Sequence, residues 1–196
     1  EGGFLCEDGL FDARTLESTG VRAFLLNACK SYIQGQALVE RGSRGGIVTL
    51  TDISNNPAVR IGRALARLLN NGFSLLSGLA VARNVTLFGN QYITIGDGTI
   101  QLIQSKTGVP TSAELVETES GYELTVQAYP TSTMSIGSFV TWHLTNDNVK
   151  YLNSGELDTF SVGEEMLGDF FDFGLTPILY DGQLFWSDEL RKKLLD

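Results

Sequence analysis

The sequence predicts an α/β fold with a mainly parallel sheet, followed by a β-rich C-terminal region, and three observations carry that expectation. Before residue 90, short continuously apolar runs such as residues 21–26 and 46–50 alternate with segments of helical spacing. Strands that are apolar on both faces belong in a sheet covered on both sides, with right-handed crossovers between its parallel members. After residue 90 the pattern changes to alternating runs separated by Gly, Asn and Ser. The charge divides at the same place: residues 1–90 hold nine Lys/Arg and seven Asp/Glu, whereas residues 91–196 hold five and sixteen. Two regions are therefore expected, an α/β core over residues 1–90 and a β-rich appendage with terminal helices over residues 91–196.

Residues 4–6 read as a short strand and residues 9–11 as a turn and edge. Residues 21–26 form a buried parallel strand interrupted only by Arg22. From 31 to 41 the spacing is helical, with Ile33, Ala37, Leu38 and Val39 on or near one face and Gly42 as the stop. Residues 46–50 are the next strand. Asn55-Asn56-Pro57 then opens a helix to residue 71, a capping side chain followed by proline at the first helical position. Its apolar side holds Ile61, Ala64, Leu65, Leu68 and Leu69, and Arg60, Arg63 and Arg67 share the other. Gly72 ends it, and residues 74–83 form a second helix. Beyond residue 91, strands are expected at 92–95 and 99–103, joined by a hairpin turn at Gly96-Asp97-Gly98, and again at 122–126 and 138–142. Residues 162–173 are helical. A short strand with Ile178, Leu179 and Tyr180 follows, then a turn at Asp181-Gly182. Ser187-Asp188-Glu189 caps a last helix ending in Arg191-Lys192-Lys193.

Composition narrows the function. With 196 residues, 42% hydrophobic and 19% charged, the chain is globular and large enough for a sizeable core. No apolar run approaches the ~18 residues a membrane helix needs, so no membrane association is expected. The first residues carry neither a basic start nor an apolar stretch, which makes a cytoplasmic address the expectation. Net charge of about −11 in the second half disfavours a nucleic-acid partner, since phosphate binding needs clustered cations. A single histidine, His143, excludes zinc sites with two or three imidazoles, and two cysteines, Cys6 and Cys29, exclude four-cysteine sites. Glu164, Glu165, Asp169 and Asp172 are separated by helical periodicity and complete no calcium loop. No metal and no cofactor is expected. The arginine stripe is either a solvated helix face or a complement to an acidic partner.

The stretch most informative about chemistry is FLLNACKSY, residues 24–32. It sets Cys29 just after the C-terminal end of a buried strand, where open α/β sheets present their ligands. The helix that follows turns its positive end toward this position, and Lys30 adds a neighbouring cation; both favour the ionised, nucleophilic form of a thiol. The alternative is a cysteine packed as a small buried hydrophobe.

The run FLLNACKS resembles the nucleophile segment of caspase-like cysteine peptidases, and it is most similar to the prokaryotic CHAT domain branch. There, an apolar strand ends in L-x-A-C, a Gly-containing helix start follows, and a Gly-rich stretch leads into the next strand. A long helix and an A-L-x-x-A helix complete the series. Gly35 and Gly42, the run GGIVTL at 45–50, the helix from Pro57 and the run GLAVAR at 78–83 stand in the same order, covering about residues 4–84. The resemblance implies a caspase-like three-layer fold and a cysteine endopeptidase acting on a protein or peptide substrate. It also implies regulatory or sensor domains as partners in prokaryotic signalling or defence. By this resemblance Cys29 is the catalytic nucleophile and its backbone N–H half of the oxyanion hole. Asn27 lines the pocket for the side chain before the cleaved bond, and Thr51 and Asp52 belong to the loop that shapes it. Thr51 replaces the usual Trp of that loop, and Asn55 stands for the usual Asp. Asp52 either selects a basic side chain or is an ordinary exposed carboxylate.

In this class the general base is a histidine upstream of the cysteine. None of the 28 residues before Cys29 is His, and His143 follows 114 residues later. Alternation in its strand explains His143 as a surface or cleft residue. The only methionines are Met134 and Met166. The absent initiator and the absent upstream histidine are together expected if the chain starts just after the family's His-Gly strand. A non-catalytic interaction module with the same fold is the rival reading. A flavodoxin-like receiver is a third, with only Asp8 and Asp12 as early acidic candidates.

Overall fold

The computed structural model describes residues 3–105, 108–145 and 148–195, and of residues 141–145 and 148–150 the backbone alone. It is a mixed α/β structure that divides into two compact units, Glu1–Leu69 with Ser74–Ile100, and Asn70–Phe73 with Gln101–Asp196.

The first unit opens with a hairpin of β1 (Phe4–Cys6) and β2 (Gly9–Phe11), with Phe4 and Phe11 stacked. Asp12 caps the 3-10 turn Ala13–Thr15, accepting the Arg14 backbone N–H at 3.0 Å and gripping its guanidinium. The buried Gln34 side chain accepts the Ala13 N–H at 2.7 Å and donates to Asp12 at 3.0 Å, which ties this turn to the next helix. Then come β3 (Ala23–Leu25), α1 (Tyr32–Glu40), β4 (Gly45–Thr49), α2 (Asn55–Leu69), α3 (Leu75–Ala82) and, after two 3-10 turns, β5 (Tyr92–Gly96).

These strands form one sheet in the order β3-β4-β5. β3 runs parallel to β4 as expected, and β5 runs antiparallel to it, which departs from a mainly parallel sheet. The number of connecting helices explains both. One helix, α1, returns the chain to the end of the sheet where β3 began, so β4 is parallel. Two helices, α2 and α3, go out and back against each other. They leave the chain where β4 ended, and Tyr92 therefore pairs with Thr49.

β4 is buried throughout because Gly45, Gly46, Ile47, Val48 and Thr49 are covered on both faces. Gly46 is required by close approach: a Cβ there would lie 2.3 Å from the Phe24 ring on β3. On α2 the buried residues are Ile61, Leu65, Leu68 and Leu69, with Arg60 and Arg63 exposed. The helix already includes Asn55, one turn position earlier than its expected cap. α3 is capped by Ser74, whose hydroxyl accepts from Ser77 N–H at 3.1 Å while the Ser77 side chain accepts from Ser74 N–H.

The strand expected at 99–103 does not form. Gly98 and Ile100 instead accept the N–H groups of Leu76 and Leu75 at 2.9 and 3.0 Å, supplying acceptors for a helix start whose first donors have none inside the helix. Asp97 holds this turn by accepting from Thr99 N–H at 3.0 Å and from the Arg44 guanidinium at 2.5 Å.

The second unit has a five-stranded sheet of β6 (Thr111–Thr118), β7 (Gly121–Ala128), β10 (Leu157–Val162), β11 (Pro177–Tyr180) and β12 (Gln183–Trp186), in the order β10-β7-β6-β11-β12. Only β6 and β11 are parallel neighbours. β8 (Phe139–Thr145) and β9 (Asn148–Asn153) pair separately. Helices α4 (Glu164–Phe173) and α5 (Ser187–Leu194) complete the unit, and its core joins Leu115, Leu124, Val126, Leu167, Phe170, Ile178 and Leu190. Gln101 donates to Gly72 O at 2.6 Å and Phe73 packs on Tyr129, which attaches residues 70–73 here. The turn at Asp181-Gly182 forms with both residues at positive φ, the signature of a tight hairpin. The cap expected at Ser187 is displaced to Trp186, whose N–H meets Glu189 at 3.0 Å. Ser187 Oγ is used elsewhere, donating to Gly174 O and accepting from Thr176 N–H.

Replacing Gly46 with Ala is expected to lower unfolding free energy by about 1–3 kcal/mol, the cost of overpacking, read by urea denaturation. A second expectation concerns acid. Hydrogen bonds from Arg14 first and Gln34 second hold the Asp12 carboxyl well below the usual carboxylate range. Its stabilising contribution is therefore present above the ordinary pKa of about 4 and lost as pH falls toward the folded value. Asp12→Asn should flatten that part of the stability-versus-pH curve, and a curve of unchanged slope would contradict it.

Candidate functional site

The site is built where β3 and β4 end side by side. Leu26 N–H donates to Ile47 O at 2.9 Å, and the chain then turns through residues 28–31 into α1. Two buried hydroxyls fix that turn. Ser31 Oγ donates to Leu26 O and accepts Thr49 N–H, both at 2.9 Å. Thr49 Oγ1 accepts Ser31 N–H at 3.2 Å and donates to Ala28 O. Both groups are fully buried and every donor has an acceptor, the condition under which buried polar groups stabilise a fold.

Cys29 stands at the crest of this turn, free and exposed, so the buried-hydrophobe alternative does not describe it. Its sulfur accepts the Ile53 N–H at 3.4 Å and lies 3.5 Å from Ile53 O, placing the segment after β4 against it. Lys30 adopts φ +50°, and from that left-handed conformation its N–H reaches Thr51 O at 3.1 Å. The Lys30 ammonium, expected beside the sulfur, forms an ion pair with Asp52 at 2.7 Å. Thr51 Oγ1 donates to Gln91 Oε1 at 2.9 Å, and Leu50 N–H reaches Gln91 O at 2.9 Å.

Asn27 is held at both ends of its carboxamide. Tyr92 OH donates to Oδ1 at 2.5 Å and Nδ2 donates to Ala58 O at 2.9 Å. Gly62 leaves room for it, since a Cβ at that position would come within 2.7 Å of Nδ2. Tyr92 is fully buried. Burial first, and the neighbouring Cys29 second, push its phenol up from the ordinary tyrosine value. Asn27, Cys29, Thr51 and Asp52 thus occupy one edge of the first unit, on the segments that follow β3 and β4.

Sequence reasoning did not single out Tyr92, Ile53 or Gln91. Tyr92 carried one legible signal, an aromatic residue with a polar tip at the first position of an alternating strand. Ile53 takes part through its backbone, which no residue type announces. His143 lies in β8 of the second unit, in register with Val149. Its side chain is outside the described residues, and residues 1–100 contain no histidine.

Elsewhere, Cys6 is free and exposed on β1. In the second unit a groove is lined by Glu114, Glu117, Leu179, Tyr180 and Asp181. There the Tyr180 hydroxyl donates to Glu117, and that bond pushes its phenol up to about 12. Arg191 pairs with Asp172, one of the acidic residues of α4. Among the described residues no group of three or more His, Cys, Asp or Glu is gathered to hold a metal ion, and no helix is long and apolar enough to cross a membrane.

Tyr92→Phe removes the hydroxyl that fixes Asn27 and should cost about 1 kcal/mol of stability near neutral pH, read by chemical denaturation. The sign with pH follows from the raised phenol: its contribution is full below the unfolded pKa of about 10 and is lost as pH rises through the folded value. Wild type should therefore lose stability above that pH more steeply than the Phe variant. Compared with protein-family models, with curated proteins and with solved structures, the chain finds no match.

Proposed function

We propose that the first unit is a caspase-like cysteine peptidase core of the CHAT type, with Cys29 as the nucleophile toward a peptide carbonyl of a protein partner. The observation that carries this reading is an exposed, free cysteine in the turn joining a parallel strand to the next helix, with its sulfur 3.4 Å from a backbone N–H. Nucleophilic residues of α/β proteins occupy this place because the sheet edge is rigid while the turn is open to solvent.

In the reaction the thiolate adds to the carbonyl carbon and the carbonyl π electrons move to oxygen. The Cys29 backbone N–H supplies half of the hole that stabilises that oxyanion. Collapse expels the amine, which takes up the proton given by the thiol, and leaves a thioester; water hydrolyses the thioester to the carboxylic acid and restores the thiol. Asn27, Thr51 and Asp52 line the substrate pocket in this scheme. The proton acceptor is an imidazole from outside residues 1–100, where the sequence has none. The caspase-like layering, a cytoplasmic address, and a role in prokaryotic signalling or defence with regulatory or sensor domains as partners belong to the same proposal.

The absence of histidine from residues 1–100 favours a second reading, an interaction module that keeps the fold without the dyad. Cleavage of a peptide library and labelling by a peptidyl chloromethyl ketone separate the two. The peptidase reading expects Cys29→Ala to lower hydrolysis by roughly a thousandfold or more and to abolish labelling at that position. Residues 1–100 supply no imidazole, so the assay is run on a chain that carries a His-Gly strand before Glu1. Hydrolysis that survives Cys29→Ala there would sink the peptidase reading, and a wild-type chain with that histidine that is inert in both assays would leave the interaction module.

A further inference from the structure

Two kinds of contact join the Cys29 turn to the segment after β4, and they differ in how easily they are broken. The Ser31 and Thr49 hydroxyls are buried and mutually satisfied, so the base of the junction is fixed. Above it lie the Lys30 N–H to Thr51 O bond, the Ile53 N–H to Cys29 sulfur bond and the Lys30 to Asp52 ion pair. The ion-pair side chains are 59% and 68% exposed, so salt or a competing charged group reaches them. The sulfur meanwhile accepts from the N–H and donates to the C=O of one residue, Ile53, in the peptide groups on either side of its Cα. An incoming electrophile must draw it away from that residue's backbone. Lys30 holds an unfavoured left-handed conformation at φ +50° while it spans to Thr51 and Asp52, so release of its side chain also frees the turn to relax.

We propose that the Lys30–Asp52 ion pair is a salt-sensitive latch that holds residues 51–53 against Cys29 and slows the meeting of its thiol with an electrophile. As regulation of the Cys29 site, this rests on the reading of Cys29 as the reactive group. Its effectors are charged groups that compete for either partner, a cationic side chain for Asp52 or a carboxylate or phosphate for Lys30.

The test is the rate at which iodoacetamide, a neutral reagent, alkylates Cys29 in the full chain. Peptide mass mapping reads it, with Cys6 as the internal reference. Simple electrostatics and a latch differ in sign. By charge alone, Lys30→Met removes a cation near the thiol and slows alkylation, whereas Asp52→Asn removes an anion and speeds it. The latch expects both variants to be faster than wild type by roughly 1.5- to 5-fold, the range an exposed ion pair supplies. Asp52→Glu, which keeps the charge, should stay near the wild-type rate. Wild type should speed up between about 0.05 and 1 M salt, and both neutral variants should respond less. Opposite changes in the two neutral variants, or no change in either, would overturn the latch, as would an equal shift at Cys6. Where a variant fails to fold, the salt series on wild type decides alone: a flat Cys29 rate overturns the proposal. Failure of the peptidase reading is distinguishable, since it is read as hydrolysis surviving Cys29→Ala and leaves the alkylation result in place.

Discussion

The reciprocal bonding of Ser31 and Thr49 is the constraint on which the candidate site depends. A turn after a parallel strand has several backbone groups without partners, and buried ones destabilise the fold by more than a hydrogen bond returns. Here two hydroxyls accept the N–H groups of each other's residues and donate to the carbonyls of Leu26 and Ala28. That closed arrangement leaves Ala28, Cys29 and Lys30 as a bridge over a fixed foundation. Exposure of Cys29 and burial of Ser31 two residues later are two results of the same geometry.

Much of the first unit was legible because its helices and inner strands carry strong patterns. The apolar run at 46–50 and the periodic stretch from Ile61 to Leu69 needed only side-chain spacing to be read. The run at 21–26, expected as a buried strand, gives an edge strand over Ala23–Leu25 that is half-buried, because β4 pairs with it on one side only. The turn at Asp181-Gly182 was legible for a different reason, since Asp-Gly favours the positive φ values both residues adopt. Illegible features were those decided by long-range backbone pairing. Residues 99–103 alternate like a strand, but the start of α3 captures the carbonyls of Gly98 and Ile100. In β10, Phe160 and Val162 face inward and Thr159 and Ser161 outward, but Leu157 is exposed and Asp158 half-buried, so the first two positions break the alternation. The antiparallel direction of β5 depends on α2 and α3 forming a hairpin, a fact about two helices together.

The site was legible to the same degree and for the same reason. Cys29 and Lys30 stand beside each other in sequence, and their position at a strand end follows from local pattern. That Lys30 turns to Asp52 does not follow, because the pairing requires the left-handed conformation of one residue and the path of a segment twenty residues away. Tyr92 reaches Asn27 across 65 positions, and only the antiparallel return of β5 brings it there.

The seat of the Phe24 ring over Gly46 has a consequence for alignment. In the parallel pair Phe24 stands opposite Gly46, with Ala23 opposite Gly45. Sliding β3 by two positions would set the ring against Val48 or Arg44, each with a Cβ where the ring now lies, and sliding by one would turn Phe24 to the other face. The missing side chain at Gly46 therefore acts as a key that admits one register. Five residues beyond Phe24, the cysteine inherits that choice: its place opposite Ile53 follows from how two strands align.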